Sequence, residues 1–451
     1  MKKKLKIGLI ALCVFLCAVP LLGFAVGGSR ETSSENRELA AFPSLTTEDG
    51  LNVNFLDELG DWYEDHFAFR SELVTAYGLI TGKVFATSAQ EDSVIVGTNG
   101  WLYYKDALPD YQGTNLLTDR QLFDAAHTLA MIQTYVEENG ASFAFTIAPN
   151  KMTLYPENLP YYYSGYRSEE SNLQNLIPWL ESEGVNYVDL YTVLSEQDEV
   201  LYHARDSHWN NKGAALASDT ILTALGQEHV DYGDAEYEIR TDFIGDLDEM
   251  LYPSAETPED EIYYDPEPEF TYLTEVESNY DAKIYTESDS EGSLVMYRDS
   301  FCNALLPFMA ESYGNAYFSR GIPYQLATDM ATNSATTVVV EKAERFIDEL
   351  CQNAPVMPGL LILDGSTDDL EYTEEIADLT EENDGTAYTK ISGTLEEGSY
   401  ETDSQIYIRL NDYIVYEAFP VSLGDGKEGF VLYVPSSLLY EDGNRYELGI
   451  S

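Results

Sequence analysis

The segment ASFAFTIAP, residues 141 to 149, is apolar almost without interruption. A strand with one wet face alternates polar and apolar residues, so a strand with no polar face must be covered on both sides. It follows directly on a helix that the sequence itself delimits. Thr118 caps that helix and Gly140 ends it. Leu122, Ala125, Leu129, Ile132 and Val136 recur at three- and four-residue steps as its buried stripe. The pattern then repeats. VNYVDL (185–190), SLVMY (293–297), NAYFS (315–319) and TTVVVE (336–341) read as strands, and NNKGAALASDTILTALG (210–226) and EKAERFIDELCQ (341–352) as helices. Strands alternating with helices imply an α/β fold, a mostly parallel sheet with helices on both faces.

At 451 residues the chain exceeds one ordinary core, and two or three domains are expected. Residues 1–27 read as a signal peptide or membrane anchor. Lys2, Lys3, Lys4 and Lys6 precede an apolar run from Ile7 to Val26, close to the ~20 residues that span a bilayer, with small residues in AVGG (25–28). The basic end stays inside and the rest is exported. Residues 28–92 read as a helical neck. The main domain is expected over 93–363, opening with VIVGTNGWLYYKD (94–106), two strands joined at Asn99-Gly100. An acidic insertion of little periodicity lies around 231–291. An acidic connector (364–385) leads to residues 386–451, where Ile406, Ile408, Leu410, then Ile414, Tyr416, Ala418, then Phe430, Leu432, Val434 alternate with period two. That pattern predicts a small all-β sandwich, turning at Asn411-Asp412.

Charge narrows the function. With 80 acidic against 24 basic side chains the formal net charge is −56, which repels phosphate backbones and excludes nucleic acid as a partner. It also disfavours anionic lipid, leaving the N-terminal segment as the only membrane contact expected. Cys302 and Cys351, the two cysteines of the exported part, either pair or stay as buried thiols. ESDSEG (287–292) begins like a calcium loop, but its twelfth position is Arg298 rather than a glutamate. No phosphate loop and no zinc spacing is present, and the chemistry below calls for neither metal nor cofactor.

Five histidines occur in the chain, and one stands in RDSHWNNKGAA (205–215). Serine is a weak nucleophile until a base takes its proton, and the usual base is a histidine oriented by a carboxylate. In an extended Asp-x-His segment both side chains point the same way, so Asp206 can hold one ring nitrogen of His208 and leave the other free. Ser300 supplies the nucleophile: SLVMY runs into Arg298-Asp299-Ser300-Phe301 and a helix-like stretch, which sets the serine at the carboxyl edge of the sheet. Its N–H would face an oxyanion. Asn150, in the loop after the 141–149 strand, is a candidate second donor, and Arg298 and Trp209 beside the two blocks are secondary candidates. His66 is expected to tie the neck to the core. His127, off its helix's apolar stripe, and His229 are expected at the surface, and His203 has no partner visible in sequence.

RDSF after an apolar strand resembles the GDS-type serine block of SGNH hydrolases, and DSHWNNKGA resembles the Asp-x-His-Trp block of the alginate O-acetyltransferase-like (AlgX/AlgJ) group and the related DHHW proteins. ENRELAAFPSL (35–45), DHFAFR (65–70), NGWLYY (99–104), APNKMTLYPENLP (148–160), GDLDEML (245–251) and VVVEKAER (338–345) match in order over roughly residues 30 to 350. The resemblance implies a flavodoxin-like three-layer α/β/α SGNH domain, with Ser300 as nucleophile, His208 as base and Asp206 as its orienter, the Asp-His pair preceding the serine. The chain departs from the usual block in carrying Arg298 in place of glycine. A C-terminal carbohydrate-binding module, with tyrosines that stack on sugars, is also implied. So is a polysaccharide substrate whose acetyl donor is reached through a membrane-bound O-acyltransferase. A carbohydrate acetylesterase with the same triad, and a non-catalytic glycan-binding surface protein, are the alternatives.

Overall fold

The computed structural model describes residues 39–451 except 48–49, 83–86, 91, 277–280, 384–386 and 441–442, with a few positions among the first 23. The expected signal or anchor over 1–27 lies largely outside the described residues. Among those described, no helix is long and apolar enough to cross a membrane. The neck contains the helices Phe55–His66 and Arg70–Ile80.

The main sheet has seven strands in the order Tyr187–Val188, Ser142–Ala148, Thr337–Ala343, Ser293–Tyr297, Asn315–Ser319, Lys283–Glu287, Thr271–Tyr272. The first five are parallel, Lys283–Glu287 runs antiparallel to them, and Thr271–Tyr272 runs antiparallel to Lys283–Glu287. Successive residues of the central strands enter two different cores. Phe145, Val295 and Val338 pack with Leu122, Leu129 and Ile132, whereas Ala144, Met296 and Val339 pack with Trp209, Ile221 and Leu305. Helices on both faces thus account for strands with no polar face. The helix Asp119–Glu138 opens with a reciprocal Thr118–Gln121 capping box, and Gly140 follows it at φ 80. The helix Asn211–Leu225 is capped by Asn210 and closed by Gly226. Asn99 and Gly100, both at positive φ, turn the hairpin Val94–Val96/Leu102–Tyr104.

Two stretches fold otherwise than their local pattern predicts. The 341–352 stretch is strand through Ala343, and its α-helix covers only Glu349–Gln352. Glu341 and Lys342 are buried there because each has a polar partner: Glu341 accepts the N–H of Asp299, and Lys342 is paired with Glu349. The described part of the acidic insertion has regular structure. It forms the hairpin Tyr237–Phe243/Glu259–Tyr264 and the helix Asp246–Leu251, and it supplies the last two strands of the main sheet, joined by antiparallel pairing.

The C-terminal part is a separate, wholly antiparallel sheet. The strand Ile414–Gly424 pairs with Ile406–Leu410 along its first half and Lys427–Pro435 along its second, folding the sheet into a half-barrel around Ile391, Ile408, Phe430 and Leu432. Asn411 and Asp412, both at positive φ, make the turn before it. The acidic connector contributes strands to this sheet, Tyr372–Thr373 and Ala377–Glu382.

This β domain docks on the helix Asp119–Glu138. Phe419, Val421 and Val431 belong to the same apolar cluster as Leu129 and Ile132. The helix's polar face is buried beside them, which is why His127 is 4% exposed and not at the surface. Its Nδ1 lies 2.7 Å from Glu183 and its Nε2 2.9 Å from Glu417 of the β domain. Arg120 donates to the carbonyl of Ser404, 2.7 Å, and pairs with Asp124, 2.9 Å. Burial works against the charged imidazole, but the two glutamates outweigh it and raise His127 to about 9. Burial likewise raises Asp124 to about 8 and Glu428 above its ordinary value. A folded-state pKa above the unfolded one gives stability that is complete below the unfolded value and lost as pH rises through the folded one. For His127 that window runs from about 6.5 to about 9 and is worth ~3 kcal/mol. The melting temperature is expected to fall across this window by several degrees, and a His127→Gln variant should show a reduced fall, chiefly below about pH 8 where Asp124 still titrates. A fall of equal size in the variant would show that the clamp is not its source.

Candidate active site

Asp206, Ser207 and His208 lie in an irregular loop closed by a bridge between Tyr202 and Trp209. The segment is not extended. Asp206 Oδ1 accepts the backbone N–H of His208 at 2.8 Å, an Asx turn that also brings it within 2.7 Å of His208 Nδ1. The other ring nitrogen, Nε2, is 2.8 Å from Ser300 Oγ. Residues 92 positions apart in sequence thus form one unbroken chain, Asp206–His208–Ser300.

The serine is held from the sheet side. The central strand ends at Tyr297 and a helix begins at Cys302. Asp299 accepts the N–H groups of Phe301 and of Ala343 on the adjacent strand, pinning the turn. The N–H of Ser300 has no acceptor among the described residues. Arg298 is 5% exposed and donates to Asn303 Oδ1 at 2.8 Å, leaving the Asn303 amide nitrogen free to donate. In place of the small residue of the usual block, an arginine therefore fixes the orientation of an amide three residues beyond the serine. Trp209 is 1% exposed and donates to the carbonyl of Phe301, tying the histidine loop to the serine turn. The Phe301 ring packs edge-on against both His208 and Trp209.

Asn150 is not brought to this group. Its amide nitrogen donates to Asp110 and its backbone N–H to Glu344, both beneath the loop. Its neighbour Lys151 is buried and donates to the carbonyls of His203, Ala204 and Asp206, which anchors the loop from below. Burial lowers that ammonium to about 8. His203 meets Glu261 at 2.9 Å and stacks on Phe243, a partner invisible in sequence because it lies on the 259–264 strand.

Asp246 is the residue that local sequence reasoning did not single out. Its N–H donates to Asp206 Oδ2, and its carboxylate accepts from the N–H and hydroxyl of Ser207. Its Oδ2 is 3.8 Å from His208 Nδ1. Burial, and then the nearby charge of Asp206, raise Asp246 to about 6. Burial would raise Asp206 too, but the His208 charge and the hydrogen bonds it receives hold it well below the usual carboxylate range. Burial opposes charge on His208, and Asp206 outweighs it, raising the imidazole above its ordinary value. Asp206, His208 and Asp246 form the one described cluster with metal-like spacing, but both ring nitrogens of His208 are already engaged by Asp206 and Ser300.

Serine and histidine open into a pocket at the carboxyl edge of the sheet, lined also by Phe243, Tyr263 and Asn303. A serine at this edge, backed by a histidine and a carboxylate from a preceding loop, has the arrangement of a Ser-His-Asp triad at the ligand-binding edge of a covered mixed sheet. Residues 94–288 match the family described as SGNH hydrolase-like domain, acetyltransferase AlgX. The matched span holds Asp206, His208 and Asp246 and ends before Ser300. No curated protein matches the sequence. Among solved structures, Bacillus cereus PatB1 is 16% identical at a TM-score of 0.45, covering 56% of this chain and 96% of that one. A DHHW family protein from Eubacterium siraeum is 18% identical at 0.39, covering 50% and 85%. Pseudomonas aeruginosa AlgX is 14% identical at 0.37, covering 84% and 98%.

Proposed function

We propose that the protein is an exported SGNH-type O-acetyltransferase acting on a polysaccharide. The observation that carries the reading is the Asp206–His208–Ser300 chain, with links of 2.7 and 2.8 Å, opening into a pocket. Ser300 Oγ attacks the carbonyl carbon of an acetyl donor while His208 Nε2 takes its proton. The N–H of Ser300 and the amide of Asn303 donate to the oxyanion. His208 returns the proton to the leaving group, and acetyl stays on Ser300. A sugar hydroxyl then gives its proton to His208, attacks the acyl-serine and leaves as the acetate ester, with the proton returned to Ser300. Asp206 keeps the proton of the neutral imidazole on Nδ1 throughout. The donor acetyl arrives through a membrane-bound O-acyltransferase, and the β domain, whose Tyr413 and Tyr440 are exposed, holds the glycan.

The test uses p-nitrophenyl acetate as donor. Intact mass should show one added acetyl group, peptide mapping should put it on Ser300, and Ser300→Ala should carry none. Added oligosaccharide should speed loss of the acetyl group and become acetylated. Acetyl-enzyme that discharges only to water would make the protein an esterase, and no acetyl on Ser300 would remove the catalytic reading.

A further inference from the structure

We infer that the glycan presented to Ser300 carries no carboxylates: it is neutral or amine-bearing, not a uronic acid polymer. This rests on the acetyl-transfer reading above and specifies its acceptor. The pocket around Ser300 is lined by four carboxylates, those of Asp206, Asp246, Glu249 and Glu261, and by no lysine or arginine. Asp206 and Glu261 face His208 and His203. Asp246 accepts hydrogen bonds from Ser207 and from the Leu247 N–H, and its nearest cationic group is His208 Nδ1 at 3.8 Å. The Glu249 carboxylate makes no hydrogen bond or ion pair among the described residues.

Of the arginines and lysines nearby, none lines the pocket. Arg205 donates to Asp248 at 2.6 Å, and Arg240 pairs with Glu238 at 2.9 Å while lying over the ring of Tyr263. Arg298 holds Asn303, and Lys151 holds three carbonyls beneath the loop. Arg345 lies against the rings of Tyr104, Phe301 and Phe346 and does not line the pocket. A sugar carboxylate entering here meets four carboxylates whose facing partners are His208 and His203, with no lysine or arginine lining the pocket, on a chain whose net charge is already −56. Low-dielectric walls concentrate that repulsion. Sugar hydroxyls and ammonium groups are hydrogen-bond donors, and carboxylates only accept.

The test offers acetyl-enzyme, made with p-nitrophenyl acetate, three acceptors alike in ring and linkage: methyl glucoside, its 2-amino analogue and its 6-carboxylate analogue. The first two should be acetylated at least about tenfold faster than the carboxylate at low ionic strength. The gap should narrow several-fold in ~0.5 M salt, where the screening length falls to a few ångströms. It should also narrow in Glu249→Gln, read as the carboxylate-to-glucoside ratio. A carboxylate acceptor used as fast as the glucoside would overturn the inference. So would acetyl-enzyme that ignores all three sugars, which leaves an esterase with no acceptor site. Failure to acetylate Ser300 at all would instead be the failure of the catalytic reading itself.

Discussion

Replacing His208 by alanine is expected to slow acetylation of Ser300 by ~10⁴- to 10⁶-fold, the largest loss any single substitution should produce outside Ser300 itself. The reason is geometric. Only His208 Nε2 is hydrogen-bonded to Ser300 Oγ, and no other described base lies within such a bond of it. The residual rate belongs to binding and to the donors at the oxyanion position. Time-resolved intact mass with p-nitrophenyl acetate reads the effect without a coupled assay. A variant that folds, as judged by its melting transition, and stays within tenfold of the wild type would eliminate His208 as the base.

The second large effect is expected from Asp206→Asn, a fall of ~10³- to 10⁴-fold. Asp206 accepts three N–H groups, from His208 Nδ1, the His208 backbone and the Asp246 backbone. An asparagine keeps one acceptor oxygen and turns an amide donor on the rest of that set. It either drops the imidazole or forces it into the tautomer whose proton sits on Nε2, facing the serine. The pH profile carries an independent signature. General-base action needs neutral His208, so the wild-type rate should rise with pH through the raised His208 pKa and then level. Removing the carboxylate removes what raises that pKa. The variant's inflection should therefore lie at lower pH, above which it levels at its much reduced rate. An inflection that moves up or stays put would mean that Asp206 does not set the protonation of His208.

Much of this was legible in the sequence because it depends on local signals. Strands lacking a polar face announce a doubly covered sheet, and Thr118, Gly140 and Asn99-Gly100 mark their own turns. Asp206 and His208 are two apart, so one short turn suffices to join them. What was missed depends on contacts that no window of sequence contains. His127 looks like a surface residue on a helical wheel, because the wheel does not show a second domain covering that face. Glu341 looks helical, because its place in a buried strand is made tolerable by the Asp299 N–H, 42 residues away. Asn150 sits in the right loop but is turned towards Asp110. Asp246 did leave a trace, in GDLDEML. A side-chain carbon at Gly245 would collide with the Arg205 carbonyl oxygen, so the block's glycine is what lets the aspartate lie against the loop that holds Asp206 and His208.

The clamp between the two domains has a kinetic meaning as well as an energetic one. A binding module on a loose tether sweeps a volume, and its ligand meets the catalytic centre at a concentration set by tether length. Here the Asp119–Glu138 helix shares its apolar core with Phe419 and Val421 and locks its charged face through Arg120 and His127. The half-barrel is thus held against the α/β body and has no tether on which to search. A polymer gripped by the β domain would be offered to Ser300 at one fixed span, so that spacing along the chain, and not chance encounter, would select the unit that reacts.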